Sequence, residues 1–513
     1  MKRLIYLSGV FAFLILGSGC KKGWLSELGN NPNQPSNAPV QLLVAPVLTG
    51  FASMEVTLNT RVGVWMGYSS FAGGYSIDDN TLTYYVQQGN PSIWGYYDYL
   101  KNANYIEKTA GQANNMHYYV AVAKILQAYG FQKLVDAYGS VPYSEAFKGV
   151  GNFFPKYDDA QSIYNANIVQ LDSAIALIEG ANPANETSMA AYDIMFSGDM
   201  DKWAMFANTL KLRYLIRESD VIGDAAKAEL AKTASVGFLD EDASVNPGYL
   251  NTAGKQSPLW ASFATTPGGS LVSDGYAFLR AGGAALDFMR KNSDPRLFYV
   301  YSPVGGTSPA LPNTFFQLDS TYDHYLGVYY GDRQVATTLG TNGVSGIGNG
   351  ILNSYKQSVL LISAAQSNFL QAEAALKGWL PGGDAVAKTL YESGITASFE
   401  TLGVYGDTTA KKYYEQPTDL ISWDASPNKL EAIITQKWIS LAYQSPIEAW
   451  SEYRRTGFPN PQVLPASKFP GYSRHMPTIF WYPKSESDTN ADNYKAAGGP
   501  STDPQNQKVF WDK

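Results

Sequence analysis

The sequence has 513 residues, of which 16% are charged and 14% aromatic, and its net charge is −7 at neutral pH. This aromatic-rich composition excludes a disordered chain, and the lack of a long basic run argues against nucleic acid as a partner. One cysteine and three histidines are too few for a disulfide framework or a zinc cluster. We therefore expect no metal, no cofactor and no thiol chemistry.

The N-terminus has the pattern of a bacterial lipoprotein signal. Lys2 and Arg3 precede an apolar run at 4–16, and small residues then lead into Cys20, the only cysteine of the chain. A thiol at this place can be lipidated after cleavage, and its acyl chains would anchor a soluble body to a membrane. The pattern predicts a signal peptide at 1–19 and lipidation at Cys20. A plain signal peptide with an incidental cysteine is the alternative.

The stretch 20–39 is polar and rich in asparagine and proline. Because such a segment buries little surface, we interpret it as a tether that leads from the lipidated Cys20 into the body at residue 40. The apolar run of the signal is too short to span a bilayer, and no later stretch reaches about 20 apolar residues without charge or proline. We therefore expect no transmembrane helix.

Helical periodicity dominates the chain beyond the tether. Apolar residues recur at three- and four-residue steps in five segments, which predicts five amphipathic helices. The segments contain Tyr119 to Tyr138, Tyr164 to Ile178, Trp203 to Tyr214, Phe369 to Trp379 and Leu430 to Leu441. Helices joined in pairs by short turns are typical of tetratricopeptide-like repeats, although no clean 34-residue period is visible. The predicted fold class is all-α, a helical-repeat scaffold.

The region 236–353 departs from this helical pattern. It is rich in proline and glycine, with five glycines between residues 340 and 350, and we predict long loops apart from a helix at about 276–290. Interspersed tryptophan and tyrosine residues argue against disorder. We interpret the region as an ordered, aromatic-lined surface inserted into the helical scaffold.

Aromatic residues next to amides and carboxylates suit the binding of sugars. A sugar ring presents an apolar C–H face, which an aromatic ring can cover, while polar neighbours bond the hydroxyl groups. The candidate ligand-binding residues are Trp65, Tyr75, Asp78, Asn80, Trp260, Tyr325 and Tyr329. The competing interpretation is a core position, because Trp and Tyr are mostly buried. We assign Trp94, Trp203, Trp379, Trp438 and Trp450 to the core, since each sits in a helical pattern.

Several segments resemble those of the SusD/RagB family, the glycan-binding lipoproteins of the Bacteroidetes, and in particular its SusD-like branch. The matching segments are FQKLVDAYG at 131–139, VPYSEA at 141–146, GDMDKW at 198–203, FANTLKLR at 206–213, DPRL at 294–297, FLQAEAA at 369–375, QKW at 436–438, EAW at 448–450 and RRTG at 454–457. The segments NPN at 31–33 and YPKSE at 482–486 also look like the family's. The resemblance implies one SusD-like helical domain over 40–513.

The resemblance also implies a function. Its members bind an oligosaccharide, or in some relatives a peptide, and deliver it to a SusC-like TonB-dependent outer-membrane transporter without catalysis. The implied location is the outer membrane, with a lipid anchor at Cys20 and the body at the cell surface. One departure concerns surface export, because Lys21 and Lys22 follow the cysteine where relatives often carry acidic residues.

Two other functions stay open at the level of sequence. A lipid-anchored glycoside hydrolase needs two carboxylates about 5–10 Å apart, and pairs such as Asp78 with Asp79 or Asp98 with Glu107 are available. A helical-repeat adaptor that binds only protein is the third possibility. No catalytic motif of the HExxH or GxSxG type occurs. The basic residues Lys437, Arg454 and Arg455 are interpreted as solvated or salt-bridged helix ends.

Overall fold

The computed structural model describes residues 38–72, 84, 93–272, 278–304, 321–340, 342–405, 409–469 and 475–513. Helices predominate in this part of the chain. In chain order they are α1 (Gln41–Thr57), α2 (Val62–Trp65), α3 (Tyr96–Ala110), α4 (His117–Tyr138), α5 (Ala160–Gly180), α6 (Met200–Arg217), α7 (Ser219–Ile222), α8 (Ala225–Ala231), α9 (Pro258–Phe263) and α10 (Gly283–Lys291). They continue with α11 (Leu297–Val300), α12 (Arg333–Leu339), α13 (Ala364–Leu376), α14 (Gly383–Thr401), α15 (Thr409–Tyr414), α16 (Lys429–Ser440), α17 (Pro446–Thr456), α18 (Lys484–Thr489) and α19 (Ala491–Ala496). The five predicted helices are confirmed as α4, α5, α6, α13 and α16.

Four of these five helices begin at a polar residue that caps the first turn. Asp159 accepts a hydrogen bond from the backbone N–H of Ser162 at the start of α5, and Asp199 accepts one from that of Asp201 at the start of α6. Ser363 and Asn428 cap α13 and α16 in the same way. Each such cap stabilises a helix by about 1 kcal/mol because it satisfies an N–H group that the helix leaves unpaired.

The helices pack largely in sequence order, as expected of a helical repeat. Helix α3 packs against α4, α4 against α5, and α5 against α6, while α13 packs against both α14 and α16. The apolar faces form one continuous hydrophobic cluster that includes residues from Val40 to Trp511. Of the five tryptophans assigned to the core, Trp94 is partly buried against this cluster and the other four are buried in it. The all-α fold class is therefore confirmed.

The described strands are short and antiparallel. The pairs join β1 (Ser69–Phe71) to β5 (Leu279–Ala281), β2 (Val141–Pro142) to β3 (Tyr157–Asp158), and β4 (Ala243–Val245) to β6 (Val359–Ile362). The helix expected at about 276–290 thus begins later, as α10, because residues 279–281 pair with β1 instead. These pairings connect the loop-rich region to the N-terminal part of the chain through β1 and to the segment before α13 through β6.

One stretch of the described chain, Gln41–Thr60, has the length and apolar composition of a membrane-crossing helix. It comprises α1 and the turn after it. Half of that stretch is buried in the protein, and α1 packs against α3 and α4. Its composition is therefore explained by its place in the core of the fold.

A group of charged side chains lies buried between the helices, and we call it the buried ion network. Lys133 on α4 contacts Glu448 on α17 at 2.8 Å and Glu55 on α1 at 2.8 Å. Arg217 on α6 contacts both Glu448 and Asp136 at 2.6 Å. All of these side chains are fully or almost fully buried. The network therefore joins α1, α4, α6 and α17 by charge-assisted hydrogen bonds.

A second part of the network lies beside α13. Arg455 binds Glu373 through two parallel hydrogen bonds of 2.8 and 2.7 Å and contacts Glu452 at 2.5 Å. Lys437 contacts Glu452 at 3.2 Å. The expectation of solvated or salt-bridged helix ends is thus right about pairing and wrong about solvation, because these charges are buried.

Candidate functional site

Trp65 was a predicted sugar platform, and the structure places it in the core. Its ring stacks on Phe480 with a centroid distance of 5.4 Å and lies 5.9 Å from that of Trp450. Only 1% of Trp65 is exposed. The prediction that its ring faces a ligand is therefore wrong for this structure, because burial among aromatic rings removes both faces from solvent.

Trp260 and Tyr325 are also buried, although both belong to the loop-rich region. Trp260 lies on the short helix α9, and its indole N–H donates to the hydroxyl of Thr265 at 3.2 Å. The ring of Tyr325 packs at 5.6 Å from that of Phe298. Their exposed fractions are 3% and 1%. The expectation of exposed platforms is wrong here, because a large ring that meets other apolar groups gains more from burial than from solvent contact.

Tyr75, Asp78, Asn80 and the lipidation residue Cys20 lie outside the described residues. Their predicted roles stay predictions.

Of the predicted ligand-binding residues that the structure describes, Tyr329 is the one that is only partly buried. Its ring packs against Gly283, where any side chain would collide with it. Its hydroxyl donates to a carboxylate oxygen of Asp287 at 2.7 Å. Burial and this hydrogen bond raise the pKa of Tyr329, so its phenol stays protonated. The ring is thus held in one orientation by its hydroxyl and by a glycine.

An exposed lysine covers the ring of Tyr329. The ammonium nitrogen of Lys468 lies 3.8 Å from the ring centroid, which is a cation–π contact. The backbone N–H of Lys468 donates to the carbonyl of Tyr330 at 2.8 Å, and Gly331 allows this close approach because a side chain there would strike the segment 467–469. Such a contact is worth only about 0.5–1 kcal/mol at an exposed position, so a ligand can displace the ammonium group from the ring.

A cavity of about 740 Å³ opens beside Lys468, the residue that covers the ring of Tyr329. Its lining includes Asp332, Arg333, Gln334, Thr337, Lys468 and Phe469. The hydroxyl of Thr337 donates to the carbonyl of Arg333 at 2.8 Å, which leaves its oxygen free to accept further hydrogen bonds. The volume falls within the range of small-molecule sites.

The described lining of this cavity combines one acidic and two basic side chains with uncharged polar ones. Asp332 is the single carboxylate among its described lining residues, and it accepts a hydrogen bond from the N–H of Val335 at 3.1 Å as the cap of α12. A hydrolytic site needs two carboxylates that flank the bond. The amide and hydroxyl groups of this lining can bond the hydroxyl groups of a sugar beside the apolar ring of Phe469, and the ring of Tyr329 lies behind Lys468.

Two of the predicted residues, Trp65 and Tyr329, are connected through Tyr330. A side-chain hydrogen bond joins Trp65 to Tyr330, the neighbour of Tyr329, and the ring of Tyr330 lies 4.6 Å from that of Tyr84. Trp65 is thus bonded to the residue that follows Tyr329 in the chain. Trp260 lies apart, on α9, which packs against α1.

Among the residues that the structure describes, no group of three or more His, Cys, Asp or Glu side chains is arranged to hold a metal ion.

Comparison with known proteins identifies the family. Residues 32–483 match the SusD-like family described as starch-binding proteins associating with the outer membrane. Among curated proteins there is no match. A chitin-binding protein of known structure shares 27% identity over 92% of this chain and 99% of its own, with a TM-score of 0.71.

Two further solved structures are similar to this chain. A chitin-binding SusD homologue from Flavobacterium johnsoniae shares 26% identity over 91% of this chain and 99% of its own, with a TM-score of 0.70. A SusD homologue from Bacteroides fragilis shares 23% identity over 93% and 99%, with a TM-score of 0.73. The helical fold and the match over most of the chain agree, and the chain belongs to the SusD-like branch of the SusD/RagB family.

Proposed function

We propose that this protein is a non-catalytic lipoprotein of the outer membrane that binds an oligosaccharide and delivers it to a SusC-like TonB-dependent transporter. The observation that carries the proposal is the open cavity beside Tyr329 and Lys468, with its polar lining and single described carboxylate. A lipid on Cys20 would hold the body at the membrane, and the tether up to residue 39 would give it reach.

Chitin oligosaccharides are the first ligands to test. Two relatives at 27% and 26% identity are described as chitin-binding. An acetamido sugar offers an apolar ring face for Tyr329 and Phe469, and its amide and hydroxyl groups suit Gln334 and Thr337.

We expect Tyr329→Ala to weaken the binding of chitin oligosaccharides about tenfold or more, because it removes the ring that covers the sugar face. A loss of tenfold corresponds to about 1.4 kcal/mol, in the range of an aromatic contact. Calorimetric titration of the full chain with chitohexaose measures the effect. Lys468→Ala is expected to keep or raise the affinity, since the ligand no longer has to displace the ammonium group.

Tyr405→Ala is the control, because Tyr405 is 77% exposed and does not line this cavity. Binding that is equal in Tyr329→Ala and the wild type would contradict the assignment of the site. Release of reducing ends from the oligosaccharide by the wild type would contradict the non-catalytic proposal.

An exposed apolar loop suits the docking of the transporter. Val150, Phe153 and Phe154 are 91%, 68% and 60% exposed. The loop is nevertheless braced: the side-chain amide of Asn152 donates to Glu145 at 2.9 Å, and that of Asn493 donates to the carbonyl of Phe154 at 2.8 Å. Exposed apolar groups on a fixed loop are typical of an interaction surface.

We expect the double variant Phe153→Ser, Phe154→Ser to lower the recovery of the transporter with this protein at least fivefold, because it removes the apolar surface that the partner would cover. Its Tm should stay within about 2 °C of the wild type, since neither ring packs in the core. Co-purification from membranes, quantified by mass spectrometry, is the measurement. Val169→Ser, which changes another exposed apolar residue on α5, is the matched control; equal recovery from both variants would contradict the docking role.

A further inference from the structure

A second cavity lies on another part of the molecule, where the paired strands β4 and β6 meet the ends of α1 and α14. Its volume is about 300 Å³, at the lower end of the range for small-molecule sites. We call it the β4–β6 cavity. It shares no lining residue with the cavity beside Tyr329. The lining residues that matter for the argument are Asp242, Ser244, Asn353, Thr401, Tyr443 and Gln444.

Asp242 brings a carboxylate to the wall of this cavity. One carboxylate oxygen accepts a hydrogen bond from the hydroxyl of Thr401 at 3.0 Å, and the other accepts one from the backbone N–H of Ala364 at 2.9 Å. Thr401 lines the cavity too, and both Asp242 and Thr401 are only partly buried. The carboxylate is therefore held in a fixed position by two hydrogen bonds at a wall that a ligand can reach.

No cation in the described part of the chain neutralises this carboxylate. Asp242 forms no salt bridge with another described residue, and the described lining contains no lysine, arginine or histidine. Burial raises the pKa of Asp242 more than its two hydrogen bonds lower it. Val56 and Thr401 belong to the last turns of α1 and α14, where the helix dipole is negative. A positively charged group on a ligand would compensate all of these charges.

Three uncharged polar side chains accompany the carboxylate. The side chains of Ser244, Asn353 and Gln444 form no hydrogen bond with another described residue, and each is at least partly exposed. A hydroxyl or an amide can both donate and accept hydrogen bonds, as the hydroxyl groups of a sugar require. Leu259 and Ile351 add apolar surface to the lining. A small ring with several hydroxyl groups therefore matches this surface.

The backbone is strained directly beside Gln444. Tyr443 has a φ of 60°, in the left-handed region that a bulky side chain rarely adopts. The side-chain amide of Asn59 donates to the carbonyl of Tyr443 at 3.1 Å, and the hydroxyl of Tyr443 donates to the carbonyl of Tyr68 at 3.0 Å. These bonds keep the residue in its strained conformation. Strain that the surrounding structure maintains in this way is typical of binding sites.

We propose that the β4–β6 cavity binds an amino sugar with a free, protonated amine, such as a glucosamine unit of partly deacetylated chitin, and that its ammonium group pairs with Asp242. Ser244, Asn353 and Gln444 would bond the hydroxyl groups of the same unit. The inference rests on the proposed carbohydrate-binding function. It adds a second site of opposite preference, because the cavity beside Tyr329 has two basic side chains in its described lining and disfavours an ammonium group.

The test compares three β-1,4-linked disaccharides that differ only in the group at carbon 2: chitobiose with free amines, N,N′-diacetylchitobiose and cellobiose. Each is titrated by calorimetry into the full chain in detergent, in the Tyr329→Ala background. We expect the diamine to bind at least tenfold more tightly than the other two. This preference should shrink when the salt concentration is raised from about 50 mM to about 500 mM, because salt screens an ion pair.

In the same background, Asp242→Asn should weaken the binding of the diamine at least tenfold, because it removes the charge and keeps the shape of the side chain. Asp240→Asn, which changes an exposed carboxylate outside the cavity, is the matched control and should leave the affinity unchanged. Gln444→Ala should weaken the diamine severalfold. This second variant breaks no side-chain hydrogen bond within the described part of the chain, so it decides the matter if Asp242→Asn does not fold.

Equal affinity for the three disaccharides would overturn the inference, as would an affinity for the diamine that neither Asp242→Asn nor Gln444→Ala changes. Binding of glycylglycine amide in place of the diamine would overturn the assignment to a sugar. Titration of the wild type with chitohexaose tests the proposed function separately. Binding of chitohexaose without binding of the diamine would overturn the β4–β6 site alone, whereas loss of both would overturn the proposed function as well.

Discussion

Glu448→Ala should lower the free energy of unfolding by about 3–5 kcal/mol. The substitution removes a carboxylate that the buried cations Lys133 and Arg217 share, and removing one partner of a buried ion pair is destabilising by this amount. Arg213, at 3.5 Å, loses the same partner. Urea unfolding followed by circular dichroism measures the effect.

An exposed ion pair provides the control. Lys484 and Asp488 lie 2.6 Å apart on the solvent-facing side of α18, and Lys484→Ala should change the free energy of unfolding by less than about 1 kcal/mol. If both variants had the same small effect, the buried ion network would not be a major source of stability.

Because Glu448 can be protonated, the stability that the buried ion network provides depends on pH. Burial by itself raises the pKa of this carboxyl, but the three cations around it outweigh burial and hold the pKa well below its usual value. A carboxyl whose pKa is depressed by folding stabilises the protein above the unfolded pKa of about 4.3, and the stabilisation is lost as the pH falls toward the folded value. Acid unfolding should therefore begin below about pH 4.

Glu218→Gln should raise the free energy of unfolding at pH 8 by about 2–3 kcal/mol and change it little at pH 4. Glu218 is buried at the end of α6, and one of its carboxylate oxygens has no partner among the described residues. Burial raises its pKa from 4.5 to about 7. Glu218 does not destabilise the wild type below about pH 4.5, where it is protonated, but the wild type loses stability as the pH rises through 7 and Glu218 ionises. The glutamine side chain of the variant stays neutral, so the variant is more stable than the wild type only at the higher pH.

Urea unfolding of the wild type and the variant at the two pH values tests this expectation. Glu400→Gln, at an exposed position near the end of α14, is the control and should shift the curve little at either pH. An equal effect of Glu218→Gln at pH 4 and pH 8 would contradict a role for ionisation.

Periodicity in the sequence was enough to locate five helices, because local spacing of apolar residues decides which face of a helix is buried, but it did not identify the long helices α1, α3 and α14. The placement of aromatic residues in loops was not predictable in this way. Trp260 and Tyr325 have no periodic pattern around them, and their burial depends on partners such as Phe298 and Thr265 that only the tertiary structure brings near.

The candidate site was predictable in part. Tyr329 was identified from its setting in an aromatic-rich loop, whereas Lys468, which covers its ring, lies in a distant segment with no motif of its own. The burial of charged residues could not be predicted from the sequence either. Arg455 resembles a solvated helix end in sequence, and its partner Glu373 belongs to a different helix, α13.

The buried ion network has a consequence for the order in which the chain acquires its shape. Lys133 and Glu448 are 315 residues apart, and Arg217 and Glu448 are 231 apart. A nascent N-terminal half that collapsed on its own could pair Lys133 with Glu55 and Arg217 with Asp136, but it would lack Glu448, the carboxylate that both cations share. We therefore expect the contacts between the N-terminal helices and α17 to form only after almost the whole polypeptide has been synthesised.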